Sequence, residues 1–92
     1  NNDFIIINSY SNTISQTTTP FTVNNPWKLE WDFQNNNNYS YIIVYDNKGS
    51  LVDIAASQLE SGSGSYYNPE SGTYYLEINS DAEWEVYLFE AK

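Results

Sequence analysis

From Ser71 to Phe89 the chain reads SGTYYLEINSDAEWEVYLF, two runs of alternating apolar and polar residues separated by Asn79-Ser80-Asp81-Ala82. Side chains of a strand point to opposite faces in turn, so Tyr74, Leu76 and Ile78 share one face, as do Trp84, Val86 and Leu88. The spacing predicts a β-hairpin. With Ser80, Asp81 and Ala82 as the loop, Asn79 opposes Glu83, and the pairs Ile78–Trp84, Leu76–Val86 and Tyr74–Leu88 all face a core. A loop shorter by one residue would set Ile78 against Glu83 and turn one apolar set to the wrong side. The outer face then carries Tyr75 opposite Tyr87, Thr73 opposite Phe89, and Glu77 opposite Glu85.

The same period recurs upstream. Trp27–Phe33, WKLEWDF, places Trp27, Leu29, Trp31 and Phe33 on one face and Lys28, Glu30 and Asp32 on the other, as a half-buried antiparallel strand does. Tyr39–Asp46 and Ser50–Ala56 are joined by Asn47-Lys48-Gly49, with glycine where a bulged turn needs positive φ, and read as a second hairpin. Its expected pairs are Val44–Val52 and Ile42–Ile54 on the core side with Ala56, leaving Tyr41, Ile43, Tyr45 and Leu51 on the other. Phe4–Ile7, FIII, reads as a first strand, either covered on both faces or at an edge. Asn8–Thr19 is polar and reads as an edge strand or a loop, and Phe21–Val23 as a short strand after Pro20. Gln34–Asn38 reads as a solvated turn, Ser57–Ser65 as a loop, and Ser65–Asn68 as a short strand. No helix-period segment of useful length appears. The 92 residues therefore predict one domain over 1–92, an all-β, single antiparallel β-sandwich, jelly-roll-like, with about seven or eight short strands.

Composition narrows the chemistry. The chain has no cysteine and no histidine, which removes disulfides, thiolate nucleophiles, the commonest general base and most transition-metal sites. Twelve acidic against three basic residues give a net charge of −9, which disfavours nucleic acid and anionic membrane surfaces as partners. No apolar run approaches the ~20 residues of a membrane helix, so no membrane insertion is expected. The start at Asn1 and the absence of a signal-peptide pattern lead to the expectation of a segment of a larger parent chain, with any targeting signal upstream.

Two segments taken together, YIIVYDNKG at Tyr41–Gly49 and SGTYYLEINSDAEWEVYLF at Ser71–Phe89, resemble bacterial pre-peptidase C-terminal domains. In that family a strand ending in Tyr-Asp-x-x-Gly leads to a serine- or proline-glycine turn, a Thr-Tyr-Tyr strand and a final strand. The resemblance covers about half of the chain. It implies a small jelly-roll sandwich, secreted or displayed at the bacterial cell surface, attached to hydrolases or carried by lipoproteins, with no chemistry of its own. Some members bind polysaccharide or collagen-like protein, and some bind calcium. Tyr39 and Tyr41 stand here where acidic residues are common in the family.

The side chains with binding potential are aromatic. If the two hairpins share a sheet, Tyr41, Tyr45, Tyr75, Tyr87 and Phe89 form one outer strip, and flat rings on a rigid sheet stack on sugars or anchor a protein interface. The alternative is that these rings lie under another strand. Trp27, Trp31 and Trp84 fall on the apolar side of clean alternations and are assigned to the core. Glu77, Glu83 and Glu85, with Asp81 nearby, offer the oxygen ligands that calcium takes, but their spacing does not match an EF-hand loop, and carboxylates that block edge-to-edge association are the better explanation. Chance pairs of carboxylates are unavoidable among twelve acids, so no glycosidase pair and no catalytic residue is assigned. The expectation is thus a non-catalytic, extracellular ancillary module binding carbohydrate or protein through an aromatic sheet face, without a cofactor unless calcium. The alternative is a structural spacer or self-associating domain of a surface lipoprotein with no ligand.

Overall fold

The computed structural model describes residues 3–34, 39–58 and 62–92. They form a β-sandwich of two packed antiparallel sheets. The strands are β1 (Phe4–Asn12), β2 (Gln16–Thr17), β3 (Phe21–Val23), β4 (Trp27–Phe33), β5 (Ser40–Asp46), β6 (Leu51–Gln58), β7 (Gly62–Asn68), β8 (Gly72–Asn79) and β9 (Trp84–Ala91). One sheet has the order β1-β9-β4-β7, and the other β2-β8-β5-β6 with β3 also paired to β8. Among the described residues there are nine strands where seven or eight are expected, the smallest being the two-residue β2. Among the described residues there is no helix long and apolar enough to cross a membrane. The expected Gln34–Asn38 turn lies outside the described residues beyond Gln34, as do residues 59–61 of the expected Ser57–Ser65 loop, whose two ends are strand.

The core residues are those that the alternations select. Trp27, Leu29 and Phe33 of β4, Ile42 and Val44 of β5, Leu76 and Ile78 of β8, and Trp84, Val86 and Leu88 of β9 are buried, with Trp31 and Tyr74 nearly so. All three tryptophans lie in the core as expected. The indole N–H of Trp27 donates to the Glu70 carbonyl (3.0 Å) and that of Trp84 to the Ile14 carbonyl (2.9 Å), so two connecting segments are tied to core rings. The indole N–H of Trp31 is buried with no hydrogen-bond partner among the described residues.

The expected Ser71–Phe89 hairpin does not form. β8 pairs with β5, Leu76 opposite Val44 and Tyr75 opposite Tyr45, whereas β9 pairs with β4 and β1, Leu88 opposite Leu29 and Val86 opposite Trp31. The two strands therefore belong to different sheets, and their apolar faces meet across the sandwich rather than side by side. Stacked sheets lie ~10 Å apart, a gap that a connection of about four extended residues spans. Residues 80–83 make that crossing, pinned where Ser80 accepts from Ala82 N and donates to its carbonyl. Ser40 and Ser80 close the same end with buried hydroxyls 3.3 Å apart.

The second hairpin forms, with a drifting register. Gly49 adopts φ +85°, and its N–H donates to the Asp46 carbonyl at 3.0 Å. The Asp46 carboxylate also accepts from Lys48 N and Ser50 N, and these two backbone donors, Ser50 first, hold its pKa below the ordinary value. Tyr45 pairs with Leu51 as expected, but then Val44 pairs with Asp53 and Ile42 with Ala56, so β6 carries two extra residues. The expected core positions Val52 and Ile54 are consequently 39% and 56% exposed, and only Ala56 stays inside. A period of two fixes faces only while no residue is inserted, and each bulge resets it.

The covered alternative for the first strand is also excluded. Among the described residues β1 is an edge strand paired only with β9, with its register shifting at Ile7, and Ile5, Ile6 and Ile7 are 47%, 54% and 39% exposed. At an edge of the other sheet, β2 and β3 lie end to end along β8. Between them Thr18 N donates to Leu76 O (2.9 Å), and Leu76 N donates to Thr18 Oγ1 (3.0 Å).

Candidate functional site

Because β8 and β9 part company, the five proposed ligand-binding residues are divided between two outer faces. Tyr41, Tyr45 and Tyr75 come together on β5 and β8. Tyr87 and Phe89 lie on β9, on the far side of the molecule. The single strip expected from the sequence is not formed.

On the β5–β8 face the register builds three successive rows. Tyr75, Tyr45 and Leu51 make the first, Glu77, Ile43 and Ile54 the second, and Asn79, Tyr41 and Ser57 the third. Ile54 joins this face because the bulge between Leu51 and Asp53 turns it outward, which is why the alternation misses it. Tyr39, just before β5, completes the surface at 47% exposure, its ring 5.8 Å from that of Tyr41 and its hydroxyl 2.6 Å from Ser57 Oγ. Tyr45 and Tyr75 stack at a centroid distance of 5.1 Å with planes 18° apart. The hydroxyls of Tyr41 and Tyr45 donate to the two oxygens of Glu77 at 3.2 and 3.0 Å. Partial burial and then the Glu77 carboxylate raise the pKa of Tyr41, whereas for Tyr45 the bond to Glu77 is the larger cause and partial burial the second. Both rings are therefore neutral donors across the physiological range, held in place by a carboxylate that ordinary strand geometry puts diagonally beside them.

Two grooves flank these rings. One of about 180 Å³ runs between β2 and β8, lined by Ser15, Gln16, Thr17, Glu77, Ile78 and Asn79, so Glu77 faces both the rings and a wall of amide and hydroxyl groups. The other, about 260 Å³, lies at the opposite end of the same strands between the Asp46–Lys48 turn and Ser71–Tyr74. The groove residues on β2 were not singled out in the sequence. A two-residue strand inside a polar stretch carries no periodic signal.

The β4–β9 face has a different character. Glu30 opposes Tyr87 and Asp32 opposes Glu85, while Lys28 opposes Phe89. Lys28 Nζ lies 4.8 Å from the Phe4 ring centre, 5.0 Å from that of Phe89 and 3.0 Å from Glu30 Oε2, so the cation is already engaged by two rings and a carboxylate. The charge of Glu85, followed by partial burial, raises the pKa of Tyr87. Tyr87 and Phe89 thus sit among fixed charges, the first in an acidic row and the second against Lys28.

The proposed calcium trio is also dispersed. Glu77 lies on the outer face of one sheet and Glu85 on that of the other, with Glu83 in the connection between them, and no group of three or more acidic ligands is assembled among the described residues. Nor do Glu77 and Glu85 guard an edge, since β8 and β9 are interior strands of their sheets. Compared with known proteins, the chain matches no family model and no curated protein.

Proposed function

We propose that the chain is a non-catalytic, exported ancillary module of a larger protein, and that the β5–β8 face binds a neutral polysaccharide. The observation that carries this reading is the pair of hydrogen bonds from Tyr41 and Tyr45 to Glu77, beside the Tyr45–Tyr75 stack and the Gln16–Asn79 groove. Sugar rings present apolar C–H faces and hydroxyl edges, and here aromatic rings lie next to carboxylate and amide groups that satisfy such hydroxyls. The tyrosine rotamers are fixed before any ligand arrives, which lowers the ordering cost of binding. A net charge of −9 disfavours an anionic glycan. The exposed Leu51 and Ile54 on the same face favour a second reading, in which the surface docks a protein.

The test is a glycan and matrix-protein array probed with the wild-type chain, Tyr45→Ala, Glu77→Gln and, from the other face, Tyr87→Ala. Capture of neutral glycans, lost in the first two variants and kept in the third, supports the reading. Capture of a matrix protein alone supports the second reading. Binding lost only in Tyr87→Ala would place the site on the other sheet.

A further inference from the structure

Four side chains of β8 stand in line on its outer face, Thr73, Tyr75, Glu77 and Asn79. At ~3.4 Å per residue the line runs for roughly 20 Å, far longer than one sugar ring. The two grooves lie at its two ends. Glu77 and Asn79 line the groove shared with Gln16, and Thr73 lines the groove at the Asp46–Lys48 turn. Short strands border the line at the same two places, with Thr17 opposite Glu77 and Thr22 opposite Thr73, where the two hydroxyl oxygens are 2.9 Å apart. Between these places, among the described residues, neither β2 nor β3 pairs with Tyr75. Tyr45 stacks on Tyr75 from the β5 side, so the other face of the Tyr75 ring is turned towards this break. The order of groups along β8 is therefore polar groove, aromatic ring, polar groove.

We propose, resting on the polysaccharide reading of this face, that β8 floors one continuous track for the interior of an extended neutral chain, with the groove at the Asp46–Lys48 turn as a second sugar subsite beyond Tyr75. Neither groove, at about 180 and 260 Å³, reaches the roughly 300 Å³ of a pocket that encloses a small ligand by itself. Both are open troughs rather than closed cavities, so neither caps a chain end. A ligand that fills both has to cross Tyr75, and one molecule held at two linked sites binds more tightly than at either alone. Each groove brings one carboxylate, Asp46 or Glu77, so an acidic sugar is opposed at both ends. The Asp46 carboxylate accepts from Lys48 N and Ser50 N, which leaves the Asn47 amide, the Lys48 ammonium and the Ser71 hydroxyl to meet sugar hydroxyls. The line follows a single strand, so its ligand has to be extended, and a chain that coils leaves it within a turn.

Isothermal titration calorimetry with β-linked gluco-, manno-, xylo- and chito-oligosaccharides, from disaccharide to hexasaccharide, tests the proposal, with maltohexaose as the coiled control. For a series that binds, affinity should rise at least about tenfold from trisaccharide to hexasaccharide as the second groove fills. Capping both ends of the hexasaccharide as methyl ethers should leave its affinity unchanged, and maltohexaose should bind more weakly. Asn47→Ala combined with Lys48→Ala changes two exposed turn residues. It should lower hexasaccharide affinity about fivefold, as the loss of one neutral hydrogen bond does, while trisaccharide affinity and melting temperature stay at wild-type values. Equal affinity for trisaccharide and hexasaccharide, a hexasaccharide affinity untouched by the turn variant, loss of binding on capping, or maltohexaose bound as tightly would each overturn the track and leave the ligand reading of the face standing. No binding of any oligosaccharide would overturn both.

Discussion

At Gly64, β7 packs closely against a side chain of β4. Gly64 pairs directly with Trp31, and a Cβ added there would lie 2.6 Å from Trp31 Cζ2, 3.1 Å from Cε2 and 3.3 Å from Cη2. Carbon atoms pack comfortably at about 3.5–4.0 Å, so Gly64→Ala requires a displacement of roughly 1 Å. Trp31 is 9% exposed, with Val86 opposite it on its other flank, so the ring has little room to retreat and β7 must lift from β4. Overpacking of this kind costs about 1–3 kcal/mol, and the reduced freedom of the unfolded chain returns about 0.4–1 kcal/mol. The expected net loss of about 1–2 kcal/mol corresponds to a fall in Tm of about 4–16 °C for a domain of this size. Thermal unfolding followed by circular dichroism reads it. Trp31→Phe in the same background should recover part of the loss, because the alanine methyl then enters space vacated by the indole and the unpartnered indole N–H is gone. An unchanged or higher Tm for Gly64→Ala, or strict additivity in the double variant, would refute the reasoning.

Thr18→Val keeps the shape of the side chain but deprives the Leu76 N–H of its acceptor in a buried setting. Chemical denaturation should show a loss of about 1–3 kcal/mol, with Thr18→Ser close to wild type. Tyr66 supplies a pH dependence. Burial pushes its pKa up to about 12, a shift that the Asn68 amide donating to its hydroxyl at 3.0 Å only partly opposes. The folded state therefore holds this proton more tightly than the unfolded state does. The stability it contributes is complete below the ordinary value of 10.0 and is lost as pH rises towards about 12. In Tyr66→Phe the slope of stability against pH between those values should be shallower than in wild type, and an equal slope would contradict the assignment.

Much of the core was legible because burial on one face leaves a period of two. Trp27 to Phe33 of β4, Ile42 and Val44 of β5, Tyr74 to Ile78 of β8 and Trp84 to Leu88 of β9 all face where their alternation puts them. Partnership was not legible. Tyr74-Leu76-Ile78 and Trp84-Val86-Leu88 present the same pattern whether their strands are neighbours in one sheet or face each other across the core, and a short connection permits both. The candidate site inherited that ambiguity. Tyr41, Tyr45 and Tyr75 were found together because β5 does pair with β8, whereas Tyr87 and Phe89 were drawn in by a hairpin that does not form. Glu77, weighed from the sequence only as a weak calcium candidate, is the acceptor for two of the tyrosines, a relation created by cross-strand register and invisible in spacing along the chain. Val52 and Ile54 were misplaced by the bulges of β6, which leave no periodic trace.

The role assigned to the β5–β8 face is tested most directly by titrating neutral oligosaccharides, with matrix proteins in parallel, into isotopically labelled protein and following its NMR shifts. With an oligosaccharide, the largest changes should fall on Tyr41, Tyr45, Tyr75, Glu77 and Gln16, with Tyr87 and Phe89 undisturbed. Changes centred on Tyr87 and Phe89, or none with any oligosaccharide, would contradict it.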